Sequence, residues 1–129
     1  MENDMIKLTS SEWNIMECLW EKSPLIGRDV VKSMEEKMGW TRSTTLTLLS
    51  RLEAKGAVSC DSEGAKRLYA PAISREDAAL QETEDLLGRI YQGSLSMMVS
   101  AFTKKKALSK EEIEELQAIL NEMEEKTDD

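Results

Sequence analysis

The sequence predicts a mainly α-helical fold in which three short helices and a β-hairpin precede three further helices. Three observations lead to this prediction. Capping signals stand before apolar stripes of helical period at several points of the chain. One turn that contains a glycine joins two short β-prone runs. Aromatic residues make up 5% of the 129 residues and charged residues 33%, a composition that suits a helix-rich protein.

The first predicted helix begins at a capping box. Thr9 and Glu12 have the spacing at which the Thr9 hydroxyl accepts from the Glu12 amide and the Glu12 carboxylate accepts from the Thr9 amide. An apolar face of helical period follows, formed by Trp13, Met16, Leu19 and Trp20. We expect Ser23-Pro24 to end this helix, because a residue before proline disfavours the helical conformation.

Two more helices and a hairpin complete the first half. Leu25-Ile26 is compatible with a short strand or a tight connection. A second helix is predicted from about residue 27 to the glycine at 39, and a third from an N-cap at Thr41 to a stop at Gly56. The runs A-V-S-C-D and K-R-L-Y-A-P-A-I then flank the turn S-E-G-A, and Pro71 confines the second strand to an edge or an end position. This order is that of a winged helix-turn-helix, which we assign to residues 1–73.

Residues 74–129 are predicted to form a three-helix dimerisation region. Ser74 can cap a fourth helix that stops at Gly93, a fifth helix covers about 95–105, and Ser109 with Glu112 forms a capping box for the sixth. Three short helices cannot bury all of their apolar side chains within one chain, so we expect a homodimer. The residues expected at the dimer contact are Leu86, Leu87, Ile90, Leu95, Met98, Phe102, Ile113, Leu116, Ile119, Leu120 and Met123.

Residue content excludes several classes of protein. The chain has two cysteines and no histidine, which removes the usual zinc sites and every His-dependent catalytic arrangement. Cys18 and Cys60 lie in apolar patterns, so we expect two buried free thiols. We predict no enzyme activity, no metal and no cofactor. Without an apolar run of about 20 residues or a signal-peptide pattern at the N-terminus, we expect a cytoplasmic protein with no membrane insertion.

The acidic excess of the chain lies in its second half. The net charge is -8, but residues 1–73 carry 10 Lys+Arg against 11 Asp+Glu, whereas residues 74–129 carry 7 against 14. Residues 40–70 carry five basic against three acidic residues. The overall charge therefore does not argue against a nucleic-acid partner for the first half.

The third predicted helix is rich in Ser and Thr, which are poor choices for a helix interior. At about 100° per residue, its core side consists of Thr45, Leu48, Leu49 and Leu52. The opposite face is small and hydroxylated and consists of Ser43, Thr47, Ser50 and Ala54, flanked by Thr44 and Arg51. Small side chains allow close approach to the major groove, hydroxyls bond phosphates or base edges, and Arg reaches guanine or phosphate. A solvated surface without a function is the alternative, and Lys66 and Arg67 past the hairpin turn favour DNA.

Five blocks of the sequence together resemble the penicillinase repressor family, which includes repressors of β-lactamase, of methicillin-resistance genes and, in one branch, of copper transport. The blocks are L-T-S-S-E-W-N-I-M-E-C-L-W-E-K-S-P-L, W-T-R-S-T-T-L-T-L-L-S-R-L-E-A-K-G-A, Y-A-P-A-I-S, Y-Q-G-S-L and L-S-K-E-E-I-E-E-L. The resemblance implies a homodimer that represses transcription from a palindromic operator on double-stranded DNA. By position, the recognition residues implied are Thr41, Arg42, Ser43, Thr44, Thr47 and Arg51, with Lys66 and Arg67 in the wing.

Two departures from the family pattern concern the inducing signal. The copper branch resembles this family with an added pair of C-x-C motifs, whereas this chain ends M-E-E-K-T-D-D. In the β-lactam branch the resemblance implies cleavage of an Asn-Phe bond in the dimerisation region, linked to a membrane-bound sensor protease as partner. The matching bond is Ala101-Phe102, where Phe is kept and Asn is replaced.

A rival hypothesis from another class is a protein-interaction module whose winged helix and acidic helices bind other proteins without an operator. The two hypotheses differ in their salt dependence, because operator binding weakens steeply with salt.

Overall fold

The computed structural model describes residues 6–127, which form six α-helices and three β-strands. The helices are α1 (Ser10–Glu21), α2 (Gly27–Met38), α3 (Arg42–Lys55), α4 (Arg75–Tyr91), α5 (Leu95–Lys105) and α6 (Lys110–Thr127). The strands are β1 (Leu25–Ile26), β2 (Val58–Glu63) and β3 (Lys66–Pro71), in one antiparallel sheet of order β1-β3-β2. The predicted fold class, a winged helix-turn-helix followed by further helices, is confirmed. The first residues of the chain, where the sequence shows no signal-peptide pattern, lie outside the described part.

The chain divides into two compact units, Met1–Asp85 and Leu86–Asp129. The first unit contains α1 to α3, the sheet and the N-terminal part of α4. The second contains the end of α4 with α5 and α6. The predicted boundary between a DNA-binding and a dimerisation region, after residue 73, concerns function and stays a prediction.

Capping determines where the helices of the first unit begin and end. The Thr9 hydroxyl accepts from the Glu12 amide at 3.1 Å and Glu12 Oε1 accepts from the Thr9 amide at 2.8 Å, so the predicted capping box is confirmed. The Thr41 hydroxyl caps α3 by accepting from the Thr44 amide at 3.2 Å. Gly56 ends α3 with φ of +85°, a left-handed conformation that glycine adopts without the cost of a Cβ.

The core of the first unit lies between α1, α2, α3 and the sheet. Its side chains with almost no exposure are Ile15, Met16, Leu19, Val30, Met34, Leu49 and Leu52. Burial of each large apolar side chain stabilises the fold by roughly 1.5–3 kcal/mol. The sheet closes one side of this core. Leu25 pairs with Tyr69 and Ile26 with Leu68, so the segment whose conformation the sequence left open is a strand.

One of the two expectations about the cysteines is wrong. Cys18 is a buried free thiol as predicted, but Cys60 is only partly buried, because its strand belongs to the wing and its Sγ contacts Arg67 at the surface. Phe102, which is expected at the dimer contact, has an exposed fraction of 53% in the single chain. The helices α5 and α6 contain no buried residue over 95–105 and 110–127.

The helices of the second unit nevertheless begin where the sequence predicts, although only one of the two bonds of the predicted capping box at Ser109 and Glu112 is present. Ser94 caps α5 by accepting from the Met97 amide at 3.0 Å, and the Ser109 hydroxyl accepts from the Glu112 amide at 3.0 Å at the start of α6. Propensity and caps alone rarely hold helices of this length in water, and the apolar stripes of α5 and α6 are exposed in the single chain.

Candidate nucleic-acid interface

Helix α3, the predicted recognition helix, is anchored by one face and exposed on the other. Its core side is buried as predicted and consists of Thr45, Leu48, Leu49 and Leu52. The six residues to which the sequence assigns DNA recognition are all exposed: Thr41, Arg42, Ser43, Thr44, Thr47 and Arg51. Because the buried side fixes the rotation of α3 about its axis, the small hydroxylated face has a defined direction.

The first turn of α3 uses part of its own hydroxyl chemistry. The Thr41 hydroxyl, besides capping the helix, donates to Thr44 Oγ1 at 3.1 Å. The proton of the Thr44 hydroxyl is then left to donate outward. Thr41 therefore positions the turn, while Thr44 and Thr47 present hydroxyls to a ligand such as a phosphate or a base edge.

The wing places its two basic residues differently. Lys66 is exposed at the first residue of β3, next to the hairpin turn. Arg67 bends back toward α3, where its Nη2 lies 3.3 Å from Oε1 and 3.4 Å from Oε2 of Glu53. Its Nε donates to Cys60 Sγ at 3.1 Å, and the guanidinium lies 5.8 Å from the centre of the Tyr69 ring. In this arrangement Arg67 connects the wing to the recognition helix.

The surroundings of Arg67 favour its charged form. The hydrogen bond to Cys60 and the charge interactions around it, among them that with Glu53, raise the pKa of Arg67. Burial raises the pKa of Tyr69, so its phenol is neutral at physiological pH. Arg67 remains 57% exposed and Glu53 39% exposed, so the pair is screened by solvent and can exchange partners.

A partly buried ion pair that the sequence did not reveal holds the C-terminal end of α3. Lys55 Nζ binds Glu12 Oε1 and also donates to the carbonyl oxygen of Lys7 at 2.7 Å. The Glu12 side chain is only 2% exposed. Burial acts to raise the pKa of Glu12, but the hydrogen bonds from Lys55 and from the Thr9 amide outweigh it, so the pKa lies below the ordinary 4.5. Glu12 thus joins the start of α1 to the end of α3.

Two kinds of site are absent from the described residues. Over residues 6–127, no three His, Cys, Asp or Glu side chains stand close enough together to hold a metal ion. In the same range no helix is long and apolar enough to cross a membrane.

Comparison with known families gives this surface a context. The sequence model described as penicillinase repressor matches residues 8–122, nearly the whole chain. The chain belongs to the penicillinase repressor family. The resemblance inferred from the sequence blocks is thereby confirmed, and membership makes the chain a DNA-binding transcriptional repressor in its broad class.

Individual members of the penicillinase repressor family are similar to this chain over most of their length. The penicillinase repressor of Bacillus licheniformis is 34% identical over 116 residues, which cover 90% of this chain and 91% of that protein. The methicillin resistance regulatory protein MecI of Staphylococcus aureus is 27% identical over 121 residues, 94% of this chain and 98% of that protein. A solution structure of monomeric Bacillus licheniformis BlaI in complex with the blaP half-operator has a TM-score of 0.50 and 30% identity, covering 55% of this chain and 87% of that one.

Proposed function

We propose that this member of the penicillinase repressor family is a sequence-specific repressor that binds a palindromic operator as a homodimer. The observation that carries the proposal is the exposed face of α3, where Ser and Thr hydroxyls and arginines stand on a helix held by its buried side. Residues of this kind suit close approach to base edges and phosphates. The half-operator complex of the Bacillus licheniformis relative supports DNA as the ligand.

The recognition helix and the wing have different roles in this proposal. Thr47 and Arg51, in the middle of α3, contact bases, whereas Lys66 contacts a flanking phosphate. The experiment is to select duplexes from random-sequence DNA with the full chain, and then to compare binding of the selected duplex with that of a scrambled one. Thr47→Ala and Arg51→Ala should reduce the preference for the selected duplex. Failure to enrich any sequence, or binding that does not weaken with salt, would point to the protein-interaction module instead.

The second unit supports the proposal of a homodimer. Large apolar side chains on α4, α5 and α6 are 37–62% exposed in the single chain: Leu86, Ile90, Leu95, Phe102, Ile113, Leu116, Ile119, Leu120 and Met123. The predicted contact residues Leu87 and Met98 are partly buried. Stripes of this extent on helices without a core are typical of an interface between subunits, and a second copy covers them symmetrically. Sedimentation of the full chain as a monomer at micromolar concentration would refute this part.

Release of the operator is proposed to act through the dimer. The bond between Ala101 and Phe102 lies within α5, and both residues are exposed in the single chain. Cleavage there separates α6 from the rest of the chain and removes part of the proposed dimer contact. Once the two subunits are no longer linked, the second subunit no longer binds its half-site at a high effective concentration, so the affinity for the operator falls. A membrane-bound sensor protease is the proposed agent by family resemblance. A protease recognition sequence placed at this bond tests the mechanical part, since the cleaved protein should leave the operator; a cleaved dimer that stays bound refutes it.

A further inference from the structure

The start of α4 is fastened to α1 by a cluster that the proposed DNA interface does not use. Arg75, the first residue of α4, donates from Nε to Glu17 Oε1 at 3.1 Å and from Nη2 to Glu17 Oε2 at 2.9 Å. Its guanidinium also lies 5.6 Å from the centre of the Trp13 ring. Trp13 Nε1 in turn donates to Glu17 Oε2 at 2.9 Å. Two forked hydrogen bonds and an aromatic face thus hold one guanidinium.

A second indole extends the fastening to the segment before α4. Trp20 meets Trp13 edge to face with ring centres 5.1 Å apart, and its Nε1 donates to the carbonyl oxygen of Ile73 at 2.9 Å. We call the group Trp13, Glu17, Trp20, Ile73 and Arg75 the clasp. All five residues belong to the first unit. The clasp fixes both the chain entering α4 and the first residue of the helix.

Apolar contacts alone do little to fix the course of α4. Ala78 is the one residue buried in this helix over its described length, 75–91, and its side chain is a single methyl group. A methyl contact tolerates rotation and tilt, whereas a forked Arg–carboxylate pair stacked on a ring has one favoured geometry. The direction of the first turns of α4 on the first unit therefore depends on the clasp more than on packing.

We propose that Arg75 is a positioning residue whose clasp sets which spacing of operator half-sites the dimer accepts. The inference rests on the proposed function, because α4 continues without a break into the residues proposed for dimerisation. A helix held in one direction presents the two recognition helices of a dimer at one separation, and half-site spacing is a geometric consequence of that separation. A looser clasp lets the dimer accept several spacings but bind the best one less tightly.

The test compares binding to half-sites, to full operators and to operators of altered spacing. The probes are the duplex selected by the wild-type chain, one half of that duplex, and versions with one or two base pairs inserted or removed at its centre. The variants are Arg75→Ala, Glu17→Gln and Arg75→Lys, measured as full chains by fluorescence anisotropy. Arg75→Ala and Glu17→Gln change the net charge in opposite directions, so a shared effect cannot come from charge alone.

Arg75→Ala and Glu17→Gln should each bind the half-site within about twofold of wild type, but should bind the full operator at least about fivefold more weakly than wild type does. This loss is a small part of the gain in affinity of about 10²–10⁴ that linking two binding sites can give. Both should also lose less affinity than wild type when the spacing changes. Arg75→Lys, which keeps the charge without the fork, should fall between them and wild type. Circular dichroism on heating shows whether each variant is folded, and Glu17→Gln carries the test if Arg75→Ala unfolds.

Equal weakening on half-site and full operator would mean that the clasp merely supports the first unit, and overturns the inference. A spacing preference like that of wild type in all three variants overturns it as well. Neither result affects the proposed function, because the wild-type chain still selects and binds its operator. A wild-type chain that selects no two-part operator overturns both.

Discussion

Replacing Glu53 by Gln should tighten DNA binding. Arg67 lies against Glu53 in the chain without DNA, with both carboxylate oxygens within 3.4 Å of Nη2. A phosphate that binds the Nη2 edge of this guanidinium must displace the carboxylate, and the carboxylate also repels a phosphate near it, so the pair competes with DNA. Gln has nearly the same shape but no charge, and it releases Arg67 without removing packing atoms.

The size of the effect follows from the exposure of the pair. The side chains of this pair are 57% and 39% exposed, so solvent screens it and it is weak. Removing the competition should therefore raise the affinity for DNA by no more than about fivefold. The gain should appear on selected and scrambled duplexes alike, because a phosphate contact carries no sequence information.

Fluorescence anisotropy titrations with both duplexes at several salt concentrations measure the gain. Glu84→Gln, which removes one exposed charge from α4, is the control for net charge. In an Arg67→Ala background Glu53→Gln should have no effect beyond that control, since the double-mutant cycle then lacks the residue that mediates it. Weaker binding by Glu53→Gln would refute the reasoning, and would mean that the pair holds the wing in its DNA-binding position.

Three further predictions concern stability and phosphate contacts. Thr45 is buried and its hydroxyl has no hydrogen-bond partner among residues 6–127. Thr45→Val should therefore raise the free energy of unfolding, measured in urea, by about 1 kcal/mol. Thr47 is exposed, so the control substitution Thr47→Val should change this free energy by less than about 0.5 kcal/mol. The pKa of Glu12 is lowered in the folded chain, so the ionised carboxylate stabilises the fold. This contribution is complete above the ordinary pKa of 4.5 and is lost as the pH falls through the lower pKa that Glu12 has in the folded chain. Glu12→Gln, which retains the capping box, should therefore lose less stability on acidification than wild type, and an equal loss would exclude Glu12 as the cause. Lys66→Ala should weaken selected and scrambled duplexes equally and reduce the slope of log K against log salt by about 0.9, whereas a changed base preference would contradict a phosphate role.

The elements that depend on local signals were predictable from the sequence. The bonds that begin α1 and α3 join residues three apart, and the residues that end them immediately follow the last turn. Helical period then separated the buried side of α3 from its exposed hydroxyl face, because a rotation of about 100° per residue leaves little freedom once the leucines are placed. For these reasons the candidate recognition surface was visible before the structure.

The contacts between distant charged residues were not predictable. Glu12 and Lys55 are 43 residues apart, and Glu17 and Arg75 are 58 apart. Charged residues on exposed faces have no period that indicates a partner, and Glu12 already had a local explanation in the capping box. The orientation of Arg67 was missed for the same reason, since its position beside Lys66 in the wing suggested two equivalent phosphate ligands.

Three of the ion pairs differ in burial according to the element that they attach to the core. The pair Glu12–Lys55 joins α1 to α3 inside the first unit, and its carboxylate is almost inaccessible, so salt screens it little and α3 keeps its place on the core. The pairs Glu53–Arg67 and Glu17–Arg75 connect the wing and α4 to the same core, and their side chains are 39–57% exposed. The pair Glu53–Arg67 is exposed enough for a phosphate to compete with it. In the proposed function, therefore, the exposed face of α3 provides specificity from a fixed position, the wing contributes affinity, and the clasp at the start of α4 sets the spacing.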